Sequence, residues 1–250
     1  MFNLFKIDNS NFFPYTKDAF TLYKKVTSQY KEARVLNYVK RSIPEKIALE
    51  LQIRNNNPTN EIHSLKPLLH WFKNDFMRWM NKNISCEQCK NPMYFEYMQG
   101  NSWMLRAIEN YSCTNCKFQI NFPRTAIIEE IADYRIGRCS EWSMLFGAIL
   151  NSLSIETRLV HDFLDHCWNE SLVGGKWIHI DSTLDYPISL DNPYYYEKNW
   201  GKKYHFVLAF SDATVEDVTF SYYQEWNNIL QRRSKQKFNI DKFKKIYFEL

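Results

Sequence analysis

The chain lacks any apolar run of signal-peptide length: Asp8, Lys17, Asp18, Lys24 and Lys25 interrupt its first thirty residues, and no stretch of eighteen apolar residues follows. No secretory leader or membrane-spanning helix is expected, so the reading is a protein made and kept in the cytosol or nucleus. Strong net charge is also missing. A balance of +4 over 250 residues does not by itself imply nucleic acid, although basic residues collect in the last twenty positions. Internal repeats and low-complexity blocks are absent too, which argues against solenoid and disordered classes.

What is present is core material: 45% hydrophobic and 17% aromatic residues, enough for one large or two small domains. The six cysteines fall as two Cys-x-x-Cys pairs plus Cys139 and Cys167. In a reducing compartment that pattern suggests metal binding and a reactive thiol rather than disulfides.

Residues 1–83 read as helical. An aromatic-rich segment covers 19–30, Ser42-Ile43-Pro44-Glu45 matches a capping box, and a third helix is expected over 65–80, where Leu68, Leu69, Phe72, Phe76 and Trp79 form an apolar stripe. Residues 84–122 are turn-rich and β-prone, with a strand predicted at 94–98 between the cysteine pairs. An acidic helical stretch (127–133) leads to Gly137-Arg138-Cys139, which opens a nearly all-apolar helix at 142–153. Strands follow at 157–162, 166–172, 176–181 and 205–210, the middle two joined at Gly174-Gly175. Helices, a cysteine insert, one buried helix and an antiparallel sheet, in that order, make an α+β fold. The expected divisions are 1–83 helical, 84–122 metal-binding, 123–225 core and 226–250 a basic helical segment.

Cys86-x-x-Cys89 and Cys113-x-x-Cys116 each wrap two sulfurs around one ion, giving the four thiolates a tetrahedral structural zinc prefers. Two disulfides or a redox dithiol are the competing readings. Four sulfurs leave no open coordination position, so such a metal stabilises and does not catalyse.

Cys139 stands at a predicted helix N-terminus, where unsatisfied N–H groups favour thiolate; a small buried core cysteine is the plainer reading. His166 and Asp181 lie on the two strands of one hairpin. A two- or four-residue loop makes cross-strand partners sum to an odd number, so these two share a face, either directly opposite or diagonal. A carboxylate beside an imidazole beside a thiol fills the roles of orienter, base and nucleophile. His179 shares the face of Asp181, so register alone leaves it open as an alternative.

Gly137-Arg138-Cys139-Ser140-Glu141-Trp142, Asp165-His166-Cys167-Trp168 and Trp177-Ile178-His179-Ile180-Asp181-Ser182 resemble the three active-site motifs of cytoplasmic peptide:N-glycanases, in the Cys, His, Asp order of the transglutaminase-like superfamily. Phe72-Lys73-Asn74-Asp75-Phe76 with Trp79 upstream, and Asn192-Pro193-Tyr194 through Asn199-Trp200-Gly201-Lys202-Lys203 downstream, extend the likeness over about residues 65 to 225. The resemblance implies a papain-like core with N-terminal helices and a zinc module. It also implies Cys139, His166 and Asp181 as triad, Cys86, Cys89, Cys113 and Cys116 as zinc ligands, and Trp168 and Trp177 lining a cleft for a glycan-bearing asparagine. Ser140 stands where the family has glycine. Leu184 stands where it often has glutamate, which weakens the sugar contacts or moves them to Asp185. The implied activity is deglycosylation of misfolded glycoproteins through a thioester, leaving aspartate, by a minimal catalytic core. The implied partner is a ubiquitin-receptor shuttle protein docking on the helices before residue 60 or on the basic stretch 232–245. Rival readings are a transglutaminase or cysteine protease, and a binding module that kept the fold and lost catalysis, as in related DNA-damage recognition proteins. The filled triad and the cysteine module count against them.

Overall fold

A computed structural model describes residues 12–55, 63–80, 84–100 and 107–234. Three helices come first: α1 (Phe12–Gln29), α2 (Ala33–Lys40) and α3 (Glu45–Asn55). Ser42 is not the cap of α3. Its N–H closes the end of α2 on Val39 O (3.0 Å), and Pro44 O takes the first bonds of the next helix from Ile47 and Ala48.

The helix expected over 65–80 stops early. A 3-10 turn (His63–Leu65), α4 (Lys66–Trp71) and one π turn (Phe72–Phe76) complete it, and the chain then extends into β1 (Arg78–Trp79). The cause is a competing partner: Arg78 N–H donates to Arg135 O (2.8 Å) and Met80 N–H to Gly137 O (2.9 Å), so this backbone is spent on a parallel pairing with β5 (Ile136–Gly137). Leu68, Leu69, Phe72 and Phe76 are buried as the stripe required, but Trp79 is 44% exposed.

β2 (Met93–Gln99), β3 (Ala107–Cys113) and β4 (Gln119–Arg124) form an antiparallel meander carrying the cysteine pairs. After α5 (Ile128–Tyr134) comes α6 (Cys139–Ser152), buried along almost its whole length. β6 (Thr157–His161), β7 (Cys167–Val173), β8 (Lys176–Ile180), β9 (Leu208–Phe210) and β10 (Val215–Asp217) make a five-stranded sheet of order β10-β9-β6-β7-β8, every neighbour antiparallel. α7 (Tyr195–Trp200) and α8 (Trp226–Ser234) complete the described chain, which is α+β.

Alternation assigns the two faces of this sheet. Leu159, Cys167, Ile180 and Phe210 face α6 and share one core with α1 and α2; Val160, Trp168 and Ala209 face a second cluster built on Tyr196, Tyr204 and Tyr222. Of the basic stretch 232–245, only Arg232, Arg233 and Ser234 are described. Both arginines turn inward, onto Tyr204 O and His205 O (each 2.6 Å), and Arg233 also pairs with Asp217. No helix of the described residues is long and apolar enough to cross a membrane.

Candidate active site and cysteine cluster

Gly174 and Gly175 both hold positive φ (55° and 78°), the backbone a two-residue hairpin turn requires, and they fix the register Asn169↔Ile180 and Glu170↔His179. Asp181 is therefore diagonal to His166, one of the two arrangements that the odd-sum rule allows. Their contact is direct: His166 Nε2–H donates to Asp181 Oδ2 at 2.7 Å, with both side chains buried. Asp181 Oδ1 accepts the Thr183 N–H (2.9 Å) and hydroxyl (2.7 Å).

Cys139 reaches this pair from the other side of the sheet, as the first residue of α6. Gly137 permits the tight entry, because Glu141 folds back to accept the Arg138 N–H (3.1 Å) and a Cβ on residue 137 would sit 2.4 Å from that of Glu141. The sulfur of Cys139 lies 3.6 Å from Asp165 O. The Cys167 thiol donates to it and, together with the positive charge of His166, holds the Cys139 thiol well below its ordinary value against the opposing effect of burial. Burial disfavours charge on His166, but the Asp181 carboxylate outweighs it and lifts the imidazole to about 10; Asp181, paired in return, falls to about 2 despite its own burial. The three groups thus stand in series, and the direction of each shift favours the charged form.

The loop that delivers His166 is held by Asp162, whose Oδ1 accepts the N–H groups of Leu164, Asp165 and His166 at 2.9–3.0 Å. Lys202 closes the other oxygen at 2.8 Å and also pairs with Asp165. Beyond Asp165, which opens the Asp-His-Cys-Trp motif, and the Gly-Lys-Lys stretch containing Lys202, these supporting groups carried no signal in the sequence.

The expected substrate residues fare differently. Trp168 is fully buried, stacked behind His166 (5.7 Å, 30°) and packed on Tyr196 and Tyr222, so it backs the imidazole and does not line a cleft. Trp177 lies four residues up β8 from Asp181, about 13 Å at strand rise, where Arg158 covers its ring at 4.0 Å. Asp185 is exposed and pairs with Lys73 (2.9 Å). The half-exposed aromatics near the triad are instead Trp200, edge-on to His166 at 5.1 Å, and Trp79, packed on Trp142 at 5.8 Å beside the chain that enters Cys139.

Cys86, Cys89, Cys113 and Cys116 converge, all four sulfurs within 4.8 Å of one another, and could hold a metal ion. Cross-pair separations of 3.4–3.5 Å exceed a disulfide bond and approach the edge of about 3.8 Å of a tetrahedron with metal–sulfur bonds of about 2.3 Å. The knuckles repeat each other: Lys90 and Lys117, each following the second cysteine, both have φ of 61°. The Asn115 N–H also points at Cys113 Sγ (3.4 Å), so the donor set and the backbone both suit a cation.

The cluster is tied to the triad by ions. Glu109 on β3 receives Arg138 through two bonds (2.8 and 2.9 Å) and Arg124 at 2.7 Å, while Arg124 also binds Glu141 at 2.6 Å. Glu109 is held down to about 2, its burial outweighed by these arginines.

Residues 93–182 match the model of the Transglutaminase-like superfamily. A Mus musculus protein named peptide-N(4)-(N-acetyl-beta-glucosaminyl)asparagine amidase is 35% identical over 208 residues, 80% of this chain and 31% of that protein. One of the same name from Arabidopsis thaliana is 35% identical over 178 residues, 68% of this chain and 24% of its own. The chain therefore spans less than a third of the curated relatives it matches. Among solved structures, Rad4-Rad23 bound to a 6-4 photoproduct UV lesion aligns with TM-score 0.58 at 14% identity, covering 95% of this chain and 53% of the other, a likeness of fold alone. By its domain and by this identity over four-fifths of its length, the chain belongs to the peptide:N-glycanase family of the transglutaminase-like superfamily.

Proposed function

We propose that this protein is an amidase that cleaves the bond between an N-glycan and the asparagine side chain, using Cys139, His166 and Asp181. The observation that carries this reading is the 2.7 Å His166–Asp181 contact beside a cysteine at a helix N-terminus, in a chain of this family. The Cys139 thiolate attacks the side-chain amide carbon, the C–N bond breaks, and His166 gives its proton to the departing glycosylamine, leaving a thioester. Water, deprotonated by His166, then attacks the thioester and leaves aspartate on the polypeptide. The N–H of Cys139, in the first turn of α6 where no intrahelical acceptor exists, is the candidate donor to the oxyanion. Trp79 and Trp200 offer apolar faces to sugar or peptide.

The four cysteines would hold zinc, which four thiolates saturate, so it supplies stability and no step of the reaction. The same reading gives denatured N-glycosylated proteins as substrates in the cytosol and a ubiquitin-receptor shuttle protein as docking partner. The test is incubation with a denatured N-glycoprotein, followed by intact mass, with Cys139→Ala alongside. Glycan loss with a gain of about one dalton in the wild type alone is expected from the amide-to-acid conversion. A folded, metal-loaded wild type that leaves the glycan in place sinks the amidase and makes the chain a binding module.

A further inference from the structure

Behind Asp181 stand two buried groups that the reaction above does not use. Tyr196 O–H donates to Asp181 Oδ2 at 2.8 Å, and the same phenol oxygen lies 2.7 Å from His179 Nε2. The Asn192 N–H points at His179 Nδ1 from 3.3 Å. Proton positions follow from the donors. An N–H directed at Nδ1 makes that nitrogen the acceptor, so the ring proton sits on Nε2 and goes to the Tyr196 oxygen. The phenol proton then has one acceptor left, Asp181. Burial, pushing His179 down to about 4, keeps this imidazole neutral. Sequence register left His179 open as a base; its contacts give it a different task.

We infer that Tyr196, backed by His179, is a positioning residue that completes the donor set around Asp181 and so fixes the heading of His166 toward Cys139. With Thr183 supplying two donors to Oδ1 and Tyr196 joining His166 on Oδ2, the carboxylate has four donors and no freedom to turn. It can only accept, so His166 Nε2 must carry a proton, and the other ring nitrogen is left for Cys139. Without the phenol O–H, Oδ2 keeps one donor, the His179 N–H loses its acceptor, and the carboxylate is free to pivot about Thr183.

This rests on the proposed triad, and the experiment separates the two. Tyr196→Phe, His179→Ala, His179→Gln and the Tyr196→Phe/His179→Ala double variant are compared with wild type by kcat and KM on a glycopeptide. The pH dependence of Cys139 alkylation by iodoacetamide is read alongside by peptide mass. The charged and titratable groups facing His166 and Cys139, besides each other, are Asp181 and Cys167, with His179 across the carboxylate, His161 on β6 and Asp162 and Lys202 behind the loop; none is altered by Tyr196→Phe. Expected for Tyr196→Phe are a fall in kcat of about tenfold, the effect of one hydrogen bond to a charged group, an unchanged KM, and an alkylation limb displaced to higher pH. His179→Ala moves both in the same direction by less, His179→Gln, which keeps an N–H, recovers, and the double variant is no worse than Tyr196→Phe alone, because the two act in series. An unmoved limb with lower thermal stability, or additive losses in the double variant, overturns the inference. If Tyr196→Phe fails to fold, the contrast between His179→Ala and His179→Gln decides it. A wild type that alkylates with a low limb yet leaves glycans intact removes the amidase while the limb still decides the relay.

Discussion

The five-stranded sheet and the three-stranded cysteine sheet are both antiparallel, and they are held in opposite ways. All of β6 and the first five residues of β7 are buried, between α6 on one face and an aromatic cluster on the other. On β2 only Met93 is buried, and the core of that sheet comes down to Met80, Cys86, Met93, Tyr111, Cys113 and Phe122, two of them cysteines of the cluster. Both carry buried charge, His166 and Asp181 on the first and Glu109 and Arg124 on the second, but only the first is enclosed by apolar layers on both faces. The other has the smaller apolar core, so a metal held by the four sulfurs is expected to supply much of its stability.

The largest expected effect tests that contrast. Stripping the metal with a chelator, or replacing Cys113 by serine, should abolish amide-exchange protection in β2, β3 and β4 and leave that of β6, β7 and β8 in place. A structural zinc site is worth on the order of 10 kcal/mol to a small module. Equal loss in both sheets would show that the cysteine sheet is not a separately held unit. Next is Asp181→Asn, which keeps the shape of the triad and removes its charge. Here kcat should drop by roughly 10^3 to 10^4 with exchange protection unchanged in both sheets, and a loss below tenfold would remove Asp181 from its orienting role.

Glu109→Gln sharpens the comparison where the regions meet. Arg124 is buried between Glu109 and Glu141, and Arg138 donates to both oxygens of the Glu109 carboxylate, so the variant leaves buried positive charge short of a partner. A loss of about 3–5 kcal/mol in denaturant unfolding is expected, together with a fall in kcat because Arg138 is the residue from which α6 starts. Lost stability at full kcat would show that the ion cluster joins the sheets without positioning Cys139.

What the sequence made legible was short-range. The Gly174-Gly175 turn placed His166 and Asp181 on one face, opposite or diagonal, and the two Cys-x-x-Cys spacings located the cluster, because in both cases a few bonds of chain determine the geometry. Trp79 was misplaced because periodicity reports which side chains avoid water and says nothing of Gly137 and Arg135, whose carbonyls draw the backbone of 78–80 out of the helix. Trp168 shares a face with His166, as alternation requires, but its burial depends on Tyr196 and Tyr222 arriving from 28 and 54 positions further along. A separation of 17 positions likewise hid the Tyr196–His179 pair behind Asp181.

The smallest effect distinguishes the two kinds of cysteine by titration. Cys139 ionises in the folded protein well below its ordinary value, whereas in the unfolded chain it remains a thiol until about pH 8.5. A group whose folded pKa is depressed adds stability that is complete above the unfolded pKa and lost as pH falls toward the folded one. Wild type should therefore gain on Cys139→Ser by about 1.4 kcal/mol for each unit of pH between roughly 6.5 and 8.5. Burial opposes charge on His166, while Asp181 and, to a lesser degree, Cys139 lift it to about 10; the Cys139 share of that lift is lost in the variant, so the full slope holds only while His166 of Cys139→Ser keeps its proton. The four cluster cysteines are common to both proteins and cancel, which leaves the difference as a measure of Cys139 together with the His166 and Cys167 groups that face it. Denaturant unfolding of the pair at several pH values reads it directly. A difference independent of pH would mean that Cys139 is a thiol in the folded state, and that the first sheet does not maintain the charged triad that sets it apart from the second.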